Sequence, residues 1–229
     1  MKQEAIKFKF NLEGMGDFFC VSDKNLFAYR LITSWPKWFK KNAYIYGPPS
    51  SGKTLIANIW KKKTNAKIIN EQFLNNLNSK ENQNLLNKRK CWVLDDLDKI
   101  LFNHKYLEQK VLYLVNILNE NKNYLLITSE KTPNQIQLKI KDLQSRLSAF
   151  LVAQLKEPDE SLLIEIIKKN FSEKQINISQ NFIEYILNRI ERTYSAAWNI
   201  CEVIDQKSLE EKKKISFRFL KKILLETNL

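Results

Sequence analysis

One histidine and three cysteines among 229 residues leave little material for a zinc centre or a disulfide framework. Cys20, Cys91 and Cys201 lie far apart, no CxxC pair occurs, and the sole histidine is His104. Buried, reduced thiols are the expectation. Long apolar runs are missing too, and none approaches the roughly 20 residues that a membrane span needs. The opening Met1-Lys2-Gln3-Glu4 lacks the apolar stretch of a secretory signal. These absences predict a cytoplasmic protein with no membrane contact.

What is present is the material of a globular chain. An apolar share of 44% with five tryptophans excludes a disordered polymer, and the length suffices for one large domain or two smaller ones. The formal charge of +13 raises the question of nucleic acid, because lysines near phosphates release counterions and give sequence-blind affinity. The lysines are scattered, however, in clusters at 61–63, 88–90, 212–214 and 221–222. Each cluster also fits a solvated helix face, so direct DNA contact stays open.

Strands and helices alternate through the first two thirds. Residues 18–21 form a short apolar run with the look of a strand, and Asp23 stands where it would cap a helix reaching Ser34, ahead of Pro36. Strands are expected at 43–46, 67–69, 91–94 and 124–128, with helices at 53–63 and 106–118. The stretch 70–90 is polar with short amphipathic pieces. This order implies a parallel α/β sheet flanked by helices. Beyond Pro158 only helical spacing remains, over 159–171, 179–190, 194–206 and 216–225. The expected division is therefore an N-terminal peptide (1–17), an α/β domain (18–157) and a small all-α domain (158–229).

Gly47-Pro48-Pro49-Ser50-Ser51-Gly52-Lys53-Thr54 satisfies G-x-x-x-x-G-K-[ST] at every fixed position. It follows an expected strand and opens an expected helix, the context in which such a loop cradles phosphates with its backbone N–H groups. Lys53 would reach the β and γ phosphates of ATP or ADP, and Thr54 would ligate Mg²⁺. Pro48, Ser50, Ser51 and the two glycines complete the cradle. Cys91-Trp92-Val93-Leu94-Asp95-Asp96 is a buried strand ending in two acids. Asp95 is the candidate metal ligand, and Asp96 the candidate for polarising an attacking water. Tyr124-Leu125-Leu126-Ile127-Thr128-Ser129 is a second apolar strand with a polar end, where Thr128, Ser129 and Glu130 are candidates for contact with nucleotide. Arg146 and Arg192 stand out in a chain whose cations are mostly lysine, since a guanidinium suits phosphate charge better than an ammonium does.

The ordered set GPPSSGKT, WVLDD, LLITSE, DLQSRL and an arginine opening the penultimate helix resembles the replication initiator DnaA and its shorter relative Hda, both of the AAA+ class. The stretch 32–47, with Trp35-Pro36-Lys37-Trp38, looks most like the Hda-type proteins of alphaproteobacteria. The resemblance implies an AAA+ fold with a helical lid and assigns roles to matching positions. Asp96 and Arg146 become catalytic, Arg146 as an arginine finger toward nucleotide on a neighbouring subunit. Ser129 falls at the sensor 1 strand end, which here lacks the usual Asp or Asn, so weak or absent intrinsic ATP turnover is expected. Arg192 becomes sensor 2. The stretch 71–86 takes the place of two short helices that DnaA uses on single-stranded DNA. Ile6, Phe8 and Phe10, alternating along an extended peptide, are candidates for binding the DNA polymerase III sliding clamp. An Hda-like protein would act with the DNA-loaded clamp to promote hydrolysis of DnaA-bound ATP and so limit initiation; self-association stays open. The alternative is a DNA-associated adaptor or loader with a structural nucleotide and affinity for single strands.

Overall fold

The computed structural model describes residues 19–213 and 215–226. They fall in two compact units: Asn25–Pro48 with Gly52–Lys156, and Glu157 onward with Pro49–Ser51 and the described residues before Asn25.

The first unit runs α1 (Leu26–Thr33), β1 (Asn42–Tyr46), α2 (Lys53–Thr64), β2 (Lys67–Ile69), α3 (Glu71–Asn75), α4 (Lys80–Lys88), β3 (Cys91–Leu94) and α5 (Leu97–Asn103). A 3-10 turn (Lys105–Leu107) leads into α6 (Glu108–Glu120), then β4 (Tyr124–Ser129), α7 (Lys141–Ser148) and β5 (Leu151–Gln154). All the strand pairs are parallel, in the order β2-β3-β4-β1-β5. β1 is therefore flanked on both sides, with Tyr46 in register with Ser129 of β4 and with Gln154 of β5. Every residue of β3 is buried, as expected of a parallel strand covered on both faces. Tyr44, Trp92, Leu94, Leu125 and Ile127 meet Val111 and Leu114 of α6 in one core. Elsewhere in the unit Trp38 stacks on Trp60 of α2, with ring centroids 5.4 Å apart and planes 8° from parallel.

The second unit contains α8 (Glu160–Glu173), α9 (Gln180–Leu187), α10 (Tyr194–Glu211) and α11 (Phe217–Glu226). All four helices begin with a side-chain cap: Asp159 accepts from Leu162 N, Ser179 from Phe182 N, Thr193 from Ala196 N and Ser216 from Phe219 N. Leu163, Phe171, Ile183, Ile200 and Leu220 are fully buried in their shared core. Cys91 and Cys201 are buried, Cys20 is half-buried, and none of the three forms a disulfide; burial pushes the Cys201 thiol up to about 12. No helix among the described residues is long and apolar enough to cross a membrane.

The strands expected from 43, 67, 91 and 124 onward are present. Two expectations near the N-terminus fail. Residues 19–21 form no strand and pair with none of the strands among the described residues; Phe18 lies outside those residues. Asp23 does not cap α1: it sits in the turn before it, and Asn25 holds the N-cap position, its side chain making no capping bond to the first turn. The elements β5, α5 and α7 are additions to the expected set.

Candidate nucleotide site

Parallel pairing brings the C-terminal ends of β1, β3 and β4 to one edge, where open α/β sheets place their ligands. Gly47 N donates to Ser129 O over 3.2 Å, tying the start of the glycine loop to the end of β4. The loop turns through two left-handed residues, Ser50 at φ 58° and Gly52 at φ 88°. Glycine takes this conformation without cost, whereas a residue with a Cβ gives up about 1–2 kcal/mol. Gly52 is also the N-cap of α2, so the first turn's N–H groups carry no side-chain cap. The Ser51 hydroxyl is buried without a hydrogen-bond partner.

Lys53 is only 5% exposed. Its ammonium donates to Gly47 O at 3.0 Å and Pro48 O at 2.8 Å, which orders it beneath the loop and leaves one of its three protons free. Burial lowers its pKa, and the nearby Glu130 and Asp96 oppose that shift. An uncapped helix start, a hydroxyl without a partner and a desolvated ammonium with a spare proton together fit a polyphosphate.

Asp95 is held on both oxygens. Thr54 Oγ1 donates to its Oδ2 over 2.7 Å, and Thr128 Oγ1 donates to its Oδ1. Thr128 Oγ1 in turn accepts from Asp96 N at 2.9 Å, so one hydroxyl fixes both acids at the end of β3. A carboxylate and a hydroxyl in contact form the donor set that Mg²⁺ shares with phosphate oxygens.

Asp96 adopts φ 52° at the N-cap of α5. Its Oδ2 lies 3.0 Å from Lys99 Nζ, which is also 3.0 Å from Glu130 Oε1. Those bonds, the one to Glu130 foremost, raise the Lys99 pKa. Asp98 joins the group by accepting from Glu130 N over 3.1 Å. Lys99 and Asp98 were not among the sequence candidates. Their link to Asp96 depends on α5 starting at Leu97, which makes residues 96 and 99 neighbours on one turn.

Thr128, rather than Ser129, supplies the hydroxyl that reaches the acids. Ser129 is fully buried, and its own Oγ accepts from Lys131 N at 3.1 Å. Arg146, on α7, places Nε 3.1 Å from both carboxylate oxygens of Asp142, with its side chain 38% exposed. Arg192, in the second unit, pairs with Glu160 at 3.2 Å just before α10. Residues 71–86 form α3 and most of α4. Ile6, Phe8 and Phe10 lie outside the described residues. No cluster of three metal-ligating His, Cys, Asp or Glu side chains occurs among the described residues.

A P-loop after a doubly flanked parallel strand, an acid pair on the neighbouring β3 and a hydroxyl strand end between them define an AAA+ nucleotide-binding fold. Residues 159–224 match the family described as "Hda, lid domain", and the chain is similar to AAA+ proteins of the DnaA/Hda kind. An uncharacterised protein of Haemophilus influenzae is 25% identical over 189 residues, covering 79% of this chain and 80% of that one. The chromosomal replication initiator DnaA of Campylobacter jejuni is 28% identical over 188 residues, covering 74% of this chain. The match spans 42% of that initiator's length. Domain III of Thermotoga maritima DnaA shares the fold with a TM-score of 0.77 at 19% identity, covering 91% of this chain and 94% of that domain.

Proposed function

We propose that this chain is a regulatory AAA+ protein that binds ATP or ADP with Mg²⁺ and promotes hydrolysis of the ATP carried by DnaA. It would act together with the DNA polymerase III sliding clamp loaded on DNA, in the cytoplasm, and so limit chromosomal replication initiation. The observation that carries this reading is the state of Arg146. Its guanidinium is partly exposed and held by Asp142 on its own helix, a pair of the kind that contributes only about 0.2–1 kcal/mol. Such a pair is readily exchanged for the charge of a phosphoryl group on a partner, and a planar guanidinium suits that charge.

The chain's own nucleotide has a binding rather than a catalytic role in this reading. Gly47, Pro48, Ser50, Ser51 and Gly52 would enclose the phosphates, Lys53 would give them its remaining proton, and Arg192 would serve as sensor 2. Thr54 and Asp95 would hold Mg²⁺, which would supply neutralisation of phosphate charge. Asp96, the candidate for orienting water, is paired with Lys99, which supports weak intrinsic turnover. Ile6, Phe8 and Phe10 form the clamp-binding peptide.

The test is to follow conversion of labelled ATP on DnaA with and without DNA-loaded clamp and this protein. Faster conversion that requires both, and that Arg146→Ala abolishes, supports the reading; stimulation that survives Arg146→Ala removes the finger role. The alternative, a DNA-associated adaptor or loader with a structural nucleotide, is favoured by one separate observation, a basic and aromatic surface on the helical unit.

A further inference from the structure

On that helical unit, α9 with the turn after it and α11 bring together two aromatic side chains and two cations. Arg189 Cζ lies 3.5 Å from the centroid of the Tyr185 ring, and Arg189 also donates to Tyr185 O over 3.2 Å. Phe217 sits beside Tyr185 with centroids 4.8 Å apart. Lys221 Nζ lies 5.2 Å from the Phe217 centroid and 5.8 Å from that of Tyr185. Arg218 is exposed one residue beyond Phe217.

Glu211 is held by Lys213 and Lys222, and Glu184 accepts from the neutral amide of Gln180 and forms no ion pair with Arg189 or Lys221. Among the described residues, Arg189, Arg218 and Lys221 make no carboxylate ion pair. Phe217 is 41% exposed, so part of an aromatic side chain stays in water beside two uncompensated cations.

We infer that the Tyr185–Arg189–Phe217–Lys221 face of the lid is a docking surface for single-stranded nucleic acid. Arg189 is already stacked on Tyr185, which leaves the outer face of its guanidinium plane for an unpaired base. The exposed part of Phe217 supplies a second stacking platform. Lys221 and Arg218 supply the charge that a phosphate backbone meets. A duplex, its bases already stacked, would gain only the charge. The inference goes beyond the proposed regulatory role and does not rest on it.

The experiment is fluorescence anisotropy of the full chain with a labelled oligothymidylate of about 15 nucleotides and with a duplex of equal length, over a salt series. Single-strand binding that weakens with salt and exceeds duplex binding is expected. The double variant Arg189→Glu/Lys221→Glu is expected to lose about tenfold or more in affinity, with an unchanged thermal melt showing that it folds. Phe217→Ala is expected to narrow the preference for single strands. Lys80→Glu/Lys88→Glu, an equal change of charge on α4, is expected to bind as the wild type does. Loss in the α4 variant with none in the lid variant overturns the inference, as does equal binding by all variants or no binding at low salt. Binding to anionic phospholipid vesicles, with none to the oligonucleotide, overturns it in favour of a membrane surface.

Discussion

Thr54 Oγ1 and Asp95 Oδ2, 41 positions apart in sequence, are joined by a 2.7 Å hydrogen bond. The bond links the first turn of α2 to the end of β3, and with Thr128 on its other oxygen Asp95 has little rotational freedom left. The acid is therefore set in position before any ligand arrives, which lowers the ordering cost of binding.

Thr128→Val should reveal how much of this order one hydroxyl provides. The substitution keeps the shape but leaves Asp96 N–H and one Asp95 oxygen without their partner, a loss of about 1–3 kcal/mol. Urea unfolding should show the lower stability, and titration with ADP should show a smaller effect of Mg²⁺. Unchanged values in both measurements would mean that Thr128 does not position the acids.

Lys99 bridges Asp96 and Glu130, and its replacement tests electrostatics near the phosphate cradle. Lys99→Met removes a positive charge between two acids that stand near Lys53. Nucleotide affinity should fall severalfold, most visibly at low salt. Stability should change by no more than about 1 kcal/mol, because the Lys99 side chain is 54% exposed. Isothermal titration at two salt concentrations, with a melt beside it, separates the two effects.

Trp60 is fully buried and stacked on Trp38. Trp60→Ala should cost about 3–5 kcal/mol through lost burial and the cavity left behind. Denaturant unfolding measures this directly, and a loss below about 1 kcal/mol would mean that the surroundings collapse into the space.

Glu211 sets an acid limb of stability. Hydrogen bonds from Lys213 first, and then Lys222, hold its carboxyl down at about 2, against an ordinary 4.5. The unfolded chain therefore takes up this proton first as the pH falls. The stabilisation is complete above about 4.5 and disappears as the pH drops toward 2. Glu211→Gln should melt lower than wild type at neutral pH, and the gap should close across that window. A gap that is constant with pH would exclude the linkage.

Much of this was legible in the sequence because apolar strands and fixed loop chemistry are local signals. The buried runs at β1, β3 and β4 announce themselves by composition, and the P-loop by its spacing. β5 escaped because Leu151-Val152-Ala153-Gln154 is short and alternates buried with exposed, and only its pairing with β1 makes it a strand. α5 and α7 are short, with seven and eight residues, and their apolar positions make weak periodic signals. Thr128 was visible as one of three candidates, but its choice over Ser129 depends on strand register. Lys99 could not be found without knowing where α5 starts. Within the run expected at 18–21, residues 19–21 misled because apolar residues that pair with no strand need not extend.

The placement of β1 has a consequence for how the protein is made. Its two neighbours, β4 and β5, are encoded at 124–129 and 151–154, long after β1 itself. During synthesis the loop from Gly47 to Thr54 thus leaves the ribosome well before the strands that brace it. A nascent chain stopped ahead of Tyr124 carries the phosphate-binding motif in full, yet without either brace. Arrested chains of increasing length should therefore gain protease resistance in this region only after β5 has emerged.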